Sequence, residues 1–317
     1  MLITYLGNHS VSYSSENHHC RSLESLGHQV VRLQESQATS EEILEKALKS
    51  DIFIWTKTWG WETPGKLTMF EVLHRLRKAK IKTVTYHLDL IFGLQRQNEV
   101  MNSPFWNMEY FFTVDKLMSD WLNKHTDTKG FYLPPGVFQE EVYKAPQIEW
   151  KHDVIFVGSK GYHSEYQYRP QLIDWLQATY GDKFGHYGGD GLGTIRERAL
   201  NELYANTKVA VGDTLCLGFT YPWYFSDRLV ECPGRFGFQI FPYIKGLENM
   251  FEIGKEIITY TYGNFTELKE KIDYYIEHDD EREKIRHAGF ERAKKDHTYI
   301  NRWKIILETV NETNQNK

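Results

Sequence analysis

Short apolar runs alternate along the chain with longer segments of helical period. LITYLG (2–7) ends in Gly7 and gives way to SSENHHCRSLESLG, a helix closed by Gly27. QVVRL, a helix near 40–49, DIFIWT and a helix near 66–79 come next, then TVTYH, a helix near 94–102, YFFTV and a helix near 115–124. Runs too short for helices, interleaved with amphipathic segments, predict buried strands of a parallel sheet covered on both faces. LPPGVFQEEVYKAPQIEWKH carries Pro134, Pro135, Gly136 and Pro146 without helical period, and reads as a linker over 136–152.

The alternation then starts again. DVIFVG (153–158) repeats the form of LITYLG, and leads to a helix near 168–179, KVAVG (208–212), a short helix in YFSDRLVECPGRFG (224–237), FQIF and EIITY. Charged amphipathic helix fills the rest. The pattern predicts an α/β chain of two Rossmann-like domains with parallel sheets facing across a cleft. The first would span 1–135 and the second 153–298, with a C-terminal helix at 299–317 crossing back to the first. Ligands of open α/β sheets sit off the carboxyl ends of strands, so the residues just after each strand are the candidates.

Composition narrows the class. The 317 residues are 41% hydrophobic and 15% aromatic, enough for two cores and unlike a disordered chain. A net charge of −5 argues against a dedicated nucleic-acid binder. Cys20, Cys216 and Cys232 have neither disulfide-framework nor metal-ligand spacing, and read as reduced thiols. With no leader-like opening and no apolar run near ~20 residues, the expected location is the cytoplasm, without a membrane span.

In the 224–237 stretch, Ser226 is a suitable N-cap and Asp227 suits the positive end of the helix. Pro233 and Gly234 should end it. Arg228 and Glu231 share a face, either as an ion pair in water or as a site where Arg228 and the helix start meet a diphosphate and Glu231 accepts a vicinal diol.

Other candidates follow strands. Gly158 and Ser159 could offer backbone N–H groups to a diphosphate, with Lys160 or Arg169 adding charge; an ordinary βα loop is the alternative. Gly188 and Gly189 would let backbone approach a base or ribose, or simply turn the chain. Asp213 follows a strand and can face a cleft or cap a turn. In the first half, Glu16 and His18 lie at a helix start capped by Ser14 or Ser15. His87 and Asp89, two apart at a strand end, could form a general-base pair; a structural histidine is the other reading. No metal-ligand spacing and no D-x-D occur, so no cofactor and no metal are expected. KLTMFEVLHRLRKAKIK (66–82) should bury Leu67, Phe70, Leu73 and Leu76 and expose Arg75, Arg77, Lys78 and Lys80. That is a solvated face, or a surface for a polyanionic acceptor.

From SDRLVECPGRFGFQIF through GNFTELKEKIDYYIEHDDEREKIRHAGFERAKKDHTYINRWKIIL the chain resembles the C-terminal half of GT-B glycosyltransferases. The similarity is greatest to the CgeB-like, spore-maturation-type branch, with its S-x-R-x-x-E element and paired tail helices. YLGNHSVSYSSENHHCRSLESLGHQVVRLQE and YHLDLIFGL resemble phage-encoded members, so the likeness spans nearly the whole chain. It implies transfer of a hexose from a nucleotide-sugar donor, a UDP-sugar by preference, held by the C-terminal domain. Glu231 would bind the donor ribose and Arg228 the diphosphate. The commoner family motif has a second glutamate eight positions before Glu231; Trp223 stands there, which leaves Tyr224 or Asp213 to contact the sugar. The implied partners are the donor and a hydroxyl acceptor, a hydroxymethylated base of phage DNA or a virion protein. A nucleotide-sugar-binding protein without transfer, and a GT-B-fold epimerase, are the rival readings.

Overall fold

The structure, a computed structural model, describes all residues except 93, 95–96, 98–101, 162–165, 215–222 and 313–317. The helix expected near 94–102 and Cys216 fall largely or wholly outside the described residues. The chain folds into two compact units, Met1–Pro134 with Tyr299–Lys317, and Pro135–Thr298.

In the first unit the strands are β1 (Leu2–Gly7), β2 (Gln29–Gln34), β3 (Ile52–Trp55), β4 (Lys82–His87), β5 (Tyr110–Thr113) and β6 (Lys129–Tyr132). They form one parallel sheet in the order β2-β1-β3-β4-β5-β6, with Ile3 opposite both Val30 and Ile52. The helices are α1 (Ser15–Ser25), α2 (Ser40–Ala47), α3 (Met69–Lys78), α4 (Lys116–His125) and, from the far end of the sequence, α10 (Tyr299–Glu312). Ser14 caps α1, and Thr68 and Glu71 close a reciprocal capping box on α3. Phe53, Trp55, Phe105 and Phe111 pack with Ile43, Val72, Leu73 and Leu76 on one side. On the other, Trp303 of α10 is fully buried, its ring edge-on to Tyr5 (6.3 Å), His19 (5.4 Å) and Tyr86 (6.2 Å).

The second unit has strands β7 (Val154–Val157), β8 (Phe184–Tyr187), β9 (Val209–Val211), β10 (Gln239–Pro242) and β11 (Ile258–Tyr260), in the parallel order β11-β10-β9-β7-β8. Its helices are α5 (Tyr168–Tyr180), α6 (Glu197–Asn206), α7 (Arg228–Gly234), α8 (Phe265–Glu277) and α9 (Asp279–Asp296). β7 shows the period of two directly. Val154 and Phe156 join Leu172 and Leu176 of α5, while Ile155 and Val157 join Leu200, Leu203 and Tyr204 of α6.

Both sheets start in the middle. The second strand goes to one side of the first and the third to the other, so each order reverses between its first and third strands. A crevice opens at that place, beyond the strand carboxyl ends, and open α/β sheets bind ligands there. In the first unit it lies off β1 and β3, in the second off β7 and β9.

Three local expectations change. Phe70 is 50% exposed rather than core, and Met69, Val72, Leu73 and Leu76 make the buried face of α3. Leu67 precedes the helix and is only partly buried. Arg75, Arg77, Lys78 and Lys80 are exposed. Finally, Pro233 lies inside α7 and Gly234 is its last residue, with the Arg235 N–H returning to Glu231 O and Cys232 O.

Candidate functional site

At the β7/β9 crevice the chain places two arginines around one buried carboxylate. Gly158, just past β7, has φ +139°, a conformation side-chain-bearing residues rarely adopt. A Cβ there would lie 2.6 Å from Arg228 Nη2, so the missing side chain is the space the guanidinium occupies. Arg228, first residue of α7, donates its Nε–H to the Val157 carbonyl. Burial and the neighbouring Arg169 cation push its guanidinium below the ordinary arginine value. Tyr204, Glu231 and Asp227 oppose the shift without cancelling it.

Arg169, on the first turn of α5, donates from Nε to Asp213 Oδ2 at 2.9 Å and from Nη1 to Ser159 O at 3.2 Å. Asp213, just past β9, is fully buried. The Tyr166 hydroxyl lies 2.9 Å from its other oxygen and 2.8 Å from the Tyr262 hydroxyl. Burial raises the Asp213 carboxyl above its usual range, with Arg169 and the Tyr166 hydrogen bond opposing the shift.

Glu231, one turn into α7, is half-buried and 3.8 Å from Arg235 Nη2. The expected pairing of Glu231 with Arg228 is replaced by this one. Arg235 in turn reaches Glu141 and, at 2.9 Å, Asn201 Oδ1.

Ser226 is not a side-chain cap; Asp227 holds the N-cap position without a capping bond from its side chain. Instead the Ser226 hydroxyl donates to Asp213 O at 2.8 Å, and its N–H to Thr214 Oγ1 at 3.1 Å, fixing α7 to the end of β9. Tyr224 is buried just ahead of it. Trp223 sits at φ +65° with its N–H on Lys245 O at 2.9 Å.

The Gly158 N–H, proposed from sequence as a diphosphate donor, is already given to Tyr187 O at 2.8 Å. The Lys160 ammonium pairs with Asp174, and the Lys160 and Gly161 amides donate to Asp190 at 2.9–3.1 Å. Gly188 is buried against Gly158, where a Cβ would meet Gly158 O at 2.4 Å, whereas Gly189 is exposed. Gly188 is therefore a packing residue. Sequence reasoning missed Asp190, Tyr166 and Tyr262, because only the fold brings three distant loops onto one carboxylate and one βα turn.

The first unit carries a separate carboxylate group at its own crevice. Glu16, in the first turn of α1, packs on Gly7 at the end of β1, where a Cβ would lie 2.8 Å from Glu16 Cγ. Burial foremost, with added repulsion from Glu35 and Asp89, raises its carboxyl to about 7. His18 is half-buried on α1. His87 is buried at the end of β4 among Trp59, Phe105 and Phe111, with ring centroids 5.6–6.1 Å away. Asp89 lies past the last residue of β4, so strand alternation no longer sets its side as the sequence argument assumed. Glu35, missed from sequence, is fully buried and accepts from Trp55 Nε1 at 2.9 Å and Thr58 N at 2.7 Å. Among the described residues no group of three His, Cys, Asp or Glu side chains could hold a metal ion, and no helix is long and apolar enough to cross a membrane.

Two all-parallel α/β units of this connectivity define the GT-B glycosyltransferase fold. Residues 161–308 match the family described as glycosyl transferase-like. HepE of Anabaena, solved with UDP and glucose, is 12% identical with a TM-score of 0.68, over 98% of this chain and 100% of that one. An alpha-glucosyltransferase in complex with UDP-glucose and DNA containing an abasic site is 10% identical with a TM-score of 0.70, over 98% and 99%. Sucrose-phosphate synthase from Thermosynechococcus elongatus is 10% identical with a TM-score of 0.63, over the same shares. No curated protein matches the chain in sequence. At such identities the structural likeness establishes the fold.

Proposed function

We propose that the chain transfers a hexose from a UDP-sugar to a hydroxyl acceptor. The observation that carries this reading is the arginine pair at the β7/β9 crevice, where Arg228 and Arg169 have Asp213 as their fully buried carboxylate. Guanidinium groups suit a diphosphate through charge-assisted bonds, and they stand at the place where such sheets take nucleotides. Fold neighbours solved with UDP or UDP-glucose agree with it.

In this reading Arg228 and Arg169 face the diphosphate in place of a metal. Glu231 accepts the ribose hydroxyls, and Ser226, Asp227, Ser159, Lys160 and Gly188 shape the surrounding loops. Tyr224 and Asp213 border the sugar. The acceptor hydroxyl oxygen bonds to the anomeric carbon as the bond from that carbon to the diphosphate breaks. UDP leaves with the electron pair, stabilised by the arginines. The hydroxyl proton passes to Glu16, whose carboxyl at about 7 is matched to neutral pH; His87, Asp89 and His18 are the other candidates on this side. The CgeB-like, phage-type placement belongs to the same proposal and rests on sequence resemblance.

Turnover of UDP-glucose by Glu231→Ala tests the assignment. Glu231 is partly exposed, so the variant should fold with an unchanged melting curve and lose turnover about a hundredfold or more. Wild-type turnover in that variant would sink the donor site as drawn.

A further inference from the structure

Off the carboxyl end of β3 the first unit holds a cavity of about 590 Å³, within the range of small-molecule sites. Residues 57, 59–63 and 67–70 supply most of its wall, and Trp55, Trp59 and Trp61 all line it. Its polar lining includes Glu62, Thr63 and Asn102. The Trp59 indole N–H and the Thr58 hydroxyl are buried without a hydrogen-bond partner among the described residues. Both atoms are sealed from the cavity, so its recognition surface is the indole rings and the polar groups that line it.

Charge decides which ligand. Lys57 also lines the cavity, but its ammonium is 2.9 Å from Trp61 O and 3.7 Å from buried Glu35. Glu62 adds a carboxylate. Among the described residues the lining therefore has no spare cation to meet a phosphate backbone, as a nucleic-acid groove would need. Indole faces suit the C–H faces of a sugar ring, and a carboxylate, an amide and hydroxyls suit its hydroxyl groups.

Resting on the glycosyltransferase reading, we propose that this cavity holds the acceptor, and that the acceptor is a neutral saccharide rather than DNA. The new glycosidic bond would then join the donor's anomeric carbon to a saccharide hydroxyl oxygen, with the proton and UDP leaving as in the donor reaction above. Position supports this. The cavity lies beside the β1/β3 crevice that carries Glu16, and Glu35, which repels the Glu16 carboxylate, is the same residue that anchors Trp55 and Thr58.

The test uses the full chain with UDP-glucose, methyl glycosides and glucose disaccharides as probes, and duplex DNA containing hydroxymethylcytosine as the rival acceptor. Wild type should transfer to at least one saccharide, and that saccharide should quench tryptophan fluorescence. Trp61→Ala and Trp59→Phe should raise its KM about tenfold and reduce the quenching. Glu62→Gln, at an exposed residue that cannot unfold the chain, should raise KM several-fold even if a tryptophan variant fails to fold. Failure of every saccharide to bind at millimolar concentration overturns the proposal, as does unchanged KM across the variants or transfer to DNA alone. UDP binding by wild type, measured calorimetrically, separates the two levels. Its absence would bring down the glycosyltransferase reading; its presence with no saccharide effect brings down only the acceptor assignment.

Discussion

Glu16 is set against its own ionisation. Packed onto Gly7 with two other carboxylates near, its carboxyl is raised from 4.5 to about 7. A carboxyl raised in the folded state contributes stability fully below the unfolded value and loses it as pH rises through the folded one. Between about pH 4.5 and 7 the wild-type protein should therefore lose roughly 3 kcal/mol through this one group. Glu16→Gln keeps the shape without the charge. Its melting temperature should equal wild type near pH 4.5 and exceed it increasingly toward pH 8. If Glu16 takes the acceptor proton, the same variant loses transfer at every pH, and wild-type transfer rises with pH about an apparent pKa near 7. A constant melting difference across the range would contradict the burial argument. His19 shows the opposite solution. Boxed by Tyr86, Tyr299 and Trp303 and bonded to the Tyr5 hydroxyl at 2.8 Å, its ring is held neutral by burial, at about 3.

At the scale of elements, the turn after β7 and the start of α7 act as one piece. Arg228 is fixed by the Val157 carbonyl and by the space above Gly158, so the glycine sets the cation's position. Gly158→Ala should cost roughly 1–3 kcal/mol for its φ alone. Because the guanidinium must move, it should also weaken UDP binding about tenfold or more. Urea unfolding and calorimetry check the two effects separately, and unaltered UDP affinity would show that Arg228 does not depend on this turn.

Legibility from sequence follows the range of the interactions involved. Strands such as β1, β4 and β7 announce themselves because each is buried on both sides, and α3 shows its charged face. Local rules misplaced Ser226, which serves the distant Asp213 carbonyl rather than its own helix, and Phe70, whose periodic position meets no partner layer. The arginines 228 and 169 were legible as charge near strand ends. Their shared carboxylate, the Asp190 cap on the Lys160 turn and the Glu35 anchor were not, since each joins residues far apart in the chain that only the fold brings together.

For the molecule as a whole, the separation of the first unit into 1–134 and the helix after 298 is the main organising fact. Trp303 alone, fully enclosed by Tyr5, His19 and Tyr86, represents about 3–5 kcal/mol if truncated to alanine. Ending the chain after Thr298 should strip amide-exchange protection from β1 and β4 while β7 and β9 keep theirs. Undiminished protection of β1 would mean that α10 is dispensable. The arrangement also orders events during synthesis. Chains usually close their amino-terminal region first as they emerge, but here that region waits for Trp303, so the middle stretch is the first able to complete a core. The earliest-made strands stay open longest, with their apolar edges in need of shelter until the ribosome has passed the codon for residue 303.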